Sequence, residues 1–257
     1  MNNPSPPSLR RLTGLEALKA GKAASTRAGD YARRLGILTR GRLVAGDSSY
    51  RLELAIRRML PEGLKQLWRL GRLAVQPVPP PAPAIPQMQL DGCQLLTNRI
   101  EMLHRLPKGG IVAEIGTYRG DFARLILDIM APERLHLADI TFSLCRADVL
   151  ADPRVAKHEG LSVPFLQSLP DASLDMIYLD ADHSYDAVRA DIAAAAPKVK
   201  PGGFLVFNDV ARIIRPGFGV LGVHQAMSEF AAGSGWQMAF FCLEGEALYD
   251  VALRRPE

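Results

Sequence analysis

A glycine-bearing turn between an apolar run and a helix-like segment is the first stretch of this chain that could do chemistry. The run Ile111–Ile115 predicts a buried strand of a parallel sheet, and 121–130 predicts a helix. Between them, Gly116 allows a tight turn and a close approach of backbone to a ligand, and Gly120 follows four residues later. Strand, glycine turn and helix form the unit that binds nucleotide-like cofactors at the carboxyl edge of a sheet. The spacing, counted from Glu114, is Glu-x-Gly-x-x-x-Gly and differs from the Gly-x-Gly-x-x-Gly of dinucleotide-binding turns.

Three later strands are also predicted to end in polar residues, namely Asp139, Asp180 and the pair Asn208-Asp209. Because the carboxyl ends of parallel strands share one edge, these side chains are expected to converge on the crevice beside Gly116. Asp139 follows Gly116 by 23 positions, about where a carboxylate meets the ribose hydroxyls of a bound nucleoside. Asp139 could instead cap the segment that follows it.

Asp180 and His183, three residues apart, are the candidates for proton transfer. Histidine titrates near neutral pH, which suits a general base that takes the proton of an alcohol or phenol. His183 could also simply orient its loop and cap the next helix, and Asp182 could be an ordinary loop residue.

The elements around these residues alternate between strand and helix, which predicts a parallel sheet with helices on both faces. The segment 91–106 before the first strand is predicted to be one helix. Two final strands, 236–243 and 247–253, are separated by a short Glu-Gly-Glu turn and predict a hairpin. The expected fold class is therefore α/β, a doubly wound, mostly parallel Rossmann-like sheet with an antiparallel C-terminal hairpin.

The N-terminal part of the chain differs in composition from the rest. Residues 1–75 hold 15 Lys and Arg against 5 Asp and Glu, a net charge of +10, while the whole chain carries +4. We expect a basic, partly helical extension over 1–75, a proline-rich linker over 76–87 and a core domain over 88–257. The extension could pack on the core or form a homo-oligomer; contact with nucleic acid or a membrane surface, or organelle targeting, is less favoured.

Cysteine content and hydropathy favour a cytoplasmic protein. The three cysteines are far apart and form no C-x-x-C motif, so a reducing compartment is expected. No apolar run approaches the length of about 18 residues that spans a bilayer, and the first residues lack the apolar core of a secretory signal.

From residue 88 onward the motifs resemble those of class I S-adenosylmethionine-dependent methyltransferases. Glu-x-Gly-x-x-x-Gly is similar to the first motif of that family, and the terminal hairpin resembles its reversed last strand. Asp-x-Asp-His-x-Tyr at 180–185, followed by Lys-Pro-Gly-Gly at 200–203 and a terminal Asp, is similar to the small-molecule O-methyltransferase-like branch.

The resemblance implies S-adenosylmethionine as cofactor and assigns residues to it. Backbone at Gly116 and Thr117 would cradle the methionine portion, with Glu114 and Gly120 shaping the turn. The remaining implied contacts are to the nucleoside: Asp139 to the ribose, Ile140 beside the adenine, and Glu159, Gly160 and Ser162 on the adenine side. Glu159 and Ser162 could instead be a surface loop residue and a helix cap.

A metal site is a second implication of the resemblance. Metal-dependent relatives hold Mg²⁺ between an Asp on the fourth strand and an acidic or amide pair ending the fifth. Asp180, Asn208 and Asp209 could supply such oxygen ligands. His183 acting without a metal is the alternative.

The sequence thus predicts methyl transfer to a small-molecule or saccharide-like acceptor, at oxygen. Three other interpretations stay open: an RNA-directed methyltransferase that uses the basic arm, a non-catalytic protein of the same fold, and a nicotinamide-dependent oxidoreductase. The glycine spacing and the closing hairpin argue against the last.

Overall fold

The computed structural model describes residues 81–211, 214, 215, 219–245 and 248–257. The predicted extension over 1–75 and the linker up to residue 80 lie outside this part of the chain. The described residues form a sheet covered by helices on both faces, which confirms the predicted fold class.

The main sheet has eight strands in the order β1-β9-β10-β6-β5-β2-β3-β4. Within it, β10 runs antiparallel to both neighbours, β6 and β9, and the remaining pairs are parallel. This confirms the predicted reversal of the last strand. A separate antiparallel pair is formed by β7 and β8. The strands are β1 Gln94–Leu96, β2 Ile111–Ile115, β3 Arg134–Asp139, β4 Val155–Glu159, β5 Leu174–Leu179, β6 Val199–Phe207, β7 Ile214–Arg215, β8 Gly219–Val220, β9 Gln237–Cys242 and β10 Asp250–Arg254.

Six α-helices connect the described strands: α1 Arg99–Arg105, α2 Asp121–Ile129, α3 Ala147–Leu150, α4 Ser162–Ser168, α5 Tyr185–Ala195 and α6 Val223–Ser234. Helices α1, α2 and α3 bury apolar side chains against one face of the sheet, and α4, α5 and α6 against the other. We refer to these as the α1–α3 face and the α4–α6 face. Among the described residues, no helix is both long and apolar enough to cross a membrane.

The predicted helix over 91–106 is wrong in its first half. Residues 94–96 form β1, which pairs in parallel with β9 at the edge of the sheet. The helix starts only at Arg99, because the side chain of Asn98 accepts a hydrogen bond from the backbone N–H of Glu101 at 3.0 Å and caps it. The local sequence therefore places the helix start inside the predicted segment.

Two local features set the bounds of neighbouring elements. Pro-Gly-Gly at 201–203 lies inside β6, where the pairing with β5 shifts register between Leu174 and Met176. Helix α3 is preceded by a turn in which Cys145 donates its backbone N–H to the carbonyl of Phe142 at 3.0 Å.

A pair of histidines on β3 and β4 lies under α4. Nδ1 of His136 and Nε2 of His158 are 3.0 Å apart, so one ring donates and the other accepts. The ring of His158 packs on Phe165, with centroids 4.1 Å apart. Burial lowers the pKa of both histidines, and the charges of His158 and Arg134 lower that of His136 further. The pair therefore favours the neutral state.

Acidification should weaken the fold through this pair. Because both pKa values are lower in the folded chain, the unfolded chain binds more protons below the ordinary histidine pKa of about 6.5, and stability should fall as pH drops through that region. His158→Phe keeps the packing on Phe165 and should reduce the fall in the urea midpoint between pH 7 and 5. Substitution of the exposed His104 by Asn is the control. Equal slopes in wild type and His158→Phe would contradict the prediction.

Candidate functional site

The glycine turn after β2 lies against the end of β5. Gly116 has a φ of +92°, and a Cβ there would lie 2.1 Å from the carbonyl oxygen of Asp180. Its N–H donates to the carbonyl of Ala138 at 2.8 Å. The sequence predicts glycine here because a ligand would approach the backbone. In the structure the backbone of Asp180 already lies where a Cβ would be, so glycine is required even without a ligand. The turn and the candidate reactive residues are thus in direct contact.

Gly120 starts α2 in the left-handed region, with a φ of +76°. Its N–H donates to the carbonyl of Thr117 at 2.8 Å, which closes the turn. A Cβ at Gly120 would lie 2.8 Å from Sγ of Cys145. Both glycines of the motif are therefore required by the path of the chain around the turn.

Asp139 supports the same turn with its carboxylate. Oδ2 accepts the backbone N–H groups of Thr117 and Tyr118 at 2.9 and 2.8 Å, and Oδ1 accepts that of Thr141 at 3.1 Å. A carboxylate offers about four acceptor positions, so one remains for a ligand hydroxyl. The local cap and the predicted ribose contact are compatible, and the ribose contact stays a prediction.

The predicted adenine-side residues are only partly brought together. Glu159 pairs in register with Asp139, and Gly160 donates its N–H to the carbonyl of Asp139 at 2.8 Å. Ile140 follows directly and is half-buried. The hydroxyl of Ser162, by contrast, donates to Oδ1 of the buried Asp191 at 2.5 Å and so ties α4 to α5. Burial raises the pKa of Asp191 to about 6, although this hydrogen bond opposes the shift.

Asp180 and His183 form a pair next to the turn. Nε2 of His183 and Oδ1 of Asp180 are 3.4 Å apart, and both side chains are partly exposed. Burial alone would lower the pKa of His183, but the contact with Asp180 and the charges of Asp209 and Asp182 raise it above its ordinary value. Oδ1 of Asp182 accepts the N–H of Ser184 at 2.8 Å, which is the loop role considered for it. Nε2 of His183 has no hydrogen-bond partner by geometry among the described residues, so Asp180 acts on the imidazole through its charge at 3.4 Å.

A buried polar layer lies beside this pair on the α1–α3 face. The hydroxyl of Tyr178 on β5 donates to Oδ2 of Asp250 on β10 at 2.6 Å. The amide of Asn208 donates to the same hydroxyl at 3.2 Å and to Oδ1 of Asp250 at 3.1 Å. Arg99 at the start of α1 donates to the hydroxyl of Tyr178 at 3.1 Å. Glu114 lies on the neighbouring strand, in register with Tyr178. Strands β2, β5 and β10, and the residue directly after β6, thus each provide one polar side chain.

Burial controls the ionisation of this layer. It raises the pKa of Asp250 to about 7, while the hydrogen bond from Tyr178 and the charge of Arg99 act in the opposite direction. Burial and the charge of Asp180 raise the pKa of Glu114 well above its usual range. Oε2 of Glu114 has no hydrogen-bond partner in the part of the chain that is described. That atom lacks a donor that a ligand could supply.

Sequence reasoning missed Arg99, Tyr178 and Asp250. Asp250 gives a usable signal, because it is an acidic residue directly before the apolar run of the last strand. Tyr178 looks like an ordinary residue of a buried strand. Arg99 cannot be distinguished by sequence from the other basic residues near it.

The predicted metal ligands have other contacts. The amide nitrogen of Asn208 is directed to Tyr178 and Asp250, and Asp209 has a left-handed backbone with a φ of +53°. Among the described residues, no group of three or more His, Cys, Asp or Glu side chains is arranged to hold a metal ion. Magnesium binding by Asp180, Asn208 and Asp209 stays a prediction.

Comparison with known proteins gives a family match over the part of the chain that contains this site. Residues 113–210 match the model of a family described as "Methyltransferase domain". No curated protein matches the chain in sequence.

Solved structures of similar shape include three methyltransferase or biosynthetic proteins. N-methyltransferase NodS from Bradyrhizobium japonicum WM9, in complex with S-adenosyl-L-homocysteine, is 18% identical over 62% of this chain and 86% of its own, with a TM-score of 0.49. The pyocyanin biosynthetic protein PhzM is 15% identical over 61% and 54%, with a TM-score of 0.47. MycE methyltransferase from the mycinamycin biosynthetic pathway, in complex with Mg, S-adenosylhomocysteine and mycinamycin VI, is 19% identical over 57% and 45%, with a TM-score of 0.42. All three TM-scores are below 0.5.

The family match indicates a methyltransferase domain over residues 113–210, which include the glycine turn, Asp139, Asp180 and His183. The residues around the turn fit the predicted S-adenosylmethionine, because Asp139 fixes the N–H groups of Thr117 and Tyr118, and Oε2 of the buried Glu114 has no hydrogen-bond partner among the described residues.

Replacing Gly116 by alanine should destabilise the domain by more than about 2 kcal/mol, because the methyl group would meet the backbone of β5 and the backbone conformation disfavours a side chain. Gly233 in α6 has no atom within 4 Å of its Cβ position. Gly233→Ala should therefore stabilise by about 0.5–1 kcal/mol, as expected for a helix. Urea unfolding of both variants measures the contrast, and similar effects of the two substitutions would contradict this account of Gly116.

Proposed function

We propose that the protein transfers a methyl group from S-adenosylmethionine to an oxygen atom of a small-molecule or saccharide-like acceptor. The observation that carries the proposal is the contact between the glycine turn and the strand end bearing Asp180, with His183 3.4 Å from that carboxylate. On this proposal, His183 is the base and the neighbouring turn binds the donor. Binding of both reactants in line can supply about 7–11 kcal/mol in favourable cases.

When bound, S-adenosylmethionine supplies an electrophilic methyl group on a sulfonium that is a good leaving group. The chain has to remove the proton of the acceptor hydroxyl, and on this proposal a ring nitrogen of His183 accepts it. The charge of Asp180, 3.4 Å away, stabilises the imidazolium that results. The half-buried position of His183 limits access of water to the proton transfer.

Asn208 donates into the polar layer only through its amide nitrogen, so its carbonyl oxygen stays available to a metal, and chelation is the experiment that separates the metal-free form of this mechanism from the metal-dependent one. Activity that survives chelation would support the metal-free form, and activity that requires Mg²⁺ would instead support ligation by Asp180 and Asp209.

Donor binding can be tested directly. Calorimetry of the full-length protein should show binding of one S-adenosylhomocysteine per chain and no binding of a nicotinamide dinucleotide. The turn spacing after Glu114 and the reversed β10 support this expectation. A methyl-transfer screen of hydroxylated acceptors, run with and without chelator, then tests the reaction. Failure to bind S-adenosylhomocysteine would rule out the proposed function.

The proposed base, His183, is tested by substitution and by pH dependence. His183→Ala should lower kcat by about 10²–10⁴-fold with little change in S-adenosylhomocysteine affinity. In the wild type, kcat/KM should rise with pH, with its midpoint above the ordinary histidine pKa of about 6.5 and its plateau at higher pH, because the pKa of His183 is raised and only the neutral ring accepts a proton. Asp180→Asn removes the largest charge that raises this pKa, so the midpoint should move to lower pH. A pH profile unchanged by Asp180→Asn would exclude His183 as the titrating base.

A further inference from the structure

We propose that a groove between α5 and α6 binds a small amphipathic anion, with its charged group on Arg255 and its apolar body along the two helices. The cavity has a volume of about 580 Å³, within the range of about 300–1,000 Å³ that is usual for small-molecule sites. Among the described residues that line it, none belongs to the glycine turn or to the pair Asp180 and His183. The groove is therefore a site separate from the proposed methyl-transfer site.

Seven of the ten described residues that line the groove are apolar. Ala193 on α5 and Ala196 directly after it bring only methyl groups to one side, and Phe230 lies on α6. The rings of Phe230 and Trp236 meet edge to face, with centroids 5.2 Å apart. Because the alanines are small, space remains between the helices in which an apolar ring or chain can pack against these aromatic groups.

Arg255, directly after β10, provides the charge of the groove. Its Nη1 donates to the backbone carbonyls of Val199 at 2.5 Å and Pro197 at 3.4 Å, which holds the guanidinium in place. These partners are neutral, and no carboxylate among the described residues forms an ion pair with Arg255, unlike its neighbour Arg254, which pairs with Glu257. The carbonyls occupy Nη1 alone, so the N–H groups of Nε and Nη2 can bind a planar anion with two hydrogen bonds.

The other two charged residues of the groove compensate each other. Both oxygens of Glu229 accept hydrogen bonds, from the hydroxyl of Tyr185 at 2.7 Å and from the amide of Gln225 at 2.6 Å. Burial would raise the pKa of Glu229, but these two bonds and the charge of Arg189 lower it below its ordinary value. Glu229 is therefore ionised opposite Arg189. The charge of Arg255 remains uncompensated, and a ligand anion complements it.

The length of the groove favours an anion with an apolar body over a small inorganic anion. Arg189 and Ala196 are seven residues apart, which is about 10 Å along a helix. Arg255 bonds to Pro197, the residue after Ala196, so its guanidinium lies at one end of this length. A ligand held there can extend its body past Phe230 and cover the apolar wall. An aromatic or aliphatic carboxylate or sulfonate fits this arrangement.

Two dyes that differ by one charged group test the site on the full-length protein. Anilinonaphthalene sulfonate is an aromatic anion, and phenylnaphthylamine is the same ring system without the sulfonate. In a Trp68→Phe background, Trp236 is the remaining one of the two tryptophans, and energy transfer from it reports binding in the groove. The sulfonate should bind at one site per chain, about tenfold or more tighter than the neutral dye, the effect of charge-assisted hydrogen bonds. Excess S-adenosylhomocysteine should not displace it.

Two variants separate the charge from the cavity. Arg255→Met should bind both dyes within about twofold of each other, because the partner of the sulfonate is gone. Ala193→Phe adds a ring at an exposed position of α5, fills the groove without changing the core, and should weaken both dyes by about tenfold. Arg254→Met is the matched control, since Arg254 is the adjacent residue, pairs with Glu257 and does not line the groove. It should keep the wild-type affinities.

Four results would overturn the inference. They are equal affinities of the wild type for the two dyes, an anion preference that persists in Arg255→Met, an unchanged sulfonate affinity in Ala193→Phe, and displacement of the sulfonate by S-adenosylhomocysteine. The last would place the dye in the crevice of the proposed methyl-transfer site. Sulfonate affinity that falls as the protein dimerises with rising concentration would instead assign the groove to a second copy of the chain, and it would overturn the inference as well.

Discussion

The close approach of Gly116 to the carbonyl of Asp180 is the constraint on which the site depends. It brings the turn after β2 against the end of β5 at a distance that no other residue type permits. Asp139 fixes the far side of the turn through the N–H groups of Thr117 and Tyr118. As a result, the turn is held between a carboxylate on β3 and the backbone after β5, before any ligand binds. Such preorganisation reduces the ordering that binding would otherwise require.

The polar layer of Tyr178, Asn208, Asp250 and Arg99 is costly to bury, and its hydrogen bonds offset that cost. Both oxygens of Asp250 accept hydrogen bonds. The layer occupies the α1–α3 face, where Phe122 packs on Tyr178 with ring centroids 4.3 Å apart. The ring of Phe122 on α2 thus covers Tyr178 and Arg99 and shields them from water on that side.

Much of the fold could be predicted from periodicity and strand ends, because buried parallel strands read as short apolar runs that end in polar residues. The runs ending at Ile115 and Leu179 were predictable for this reason. The edge strand β1 was not predictable, because a strand of three residues is too short to show an alternating pattern. Its conformation depends on pairing with β9, more than 140 positions away. The same limit applies to the site. Motif residues such as Gly116 are recognisable by their spacing. Arg99 belongs to the polar layer only through its contacts with Tyr178 and Phe122, which no local sequence pattern encodes.

The charges around the crevice connect donor binding to proton transfer. Asp180 raises the pKa of Glu114 and also that of His183, so this one carboxylate acts on a residue predicted to contact the donor and on the proposed base. For Glu114 it is a like charge that disfavours ionisation, and a cation beside Glu114 relieves that repulsion. For His183 it is an opposite charge that strengthens the base. If a cationic donor occupies the crevice, its charge opposes protonation of His183 and so increases the neutral fraction of the ring.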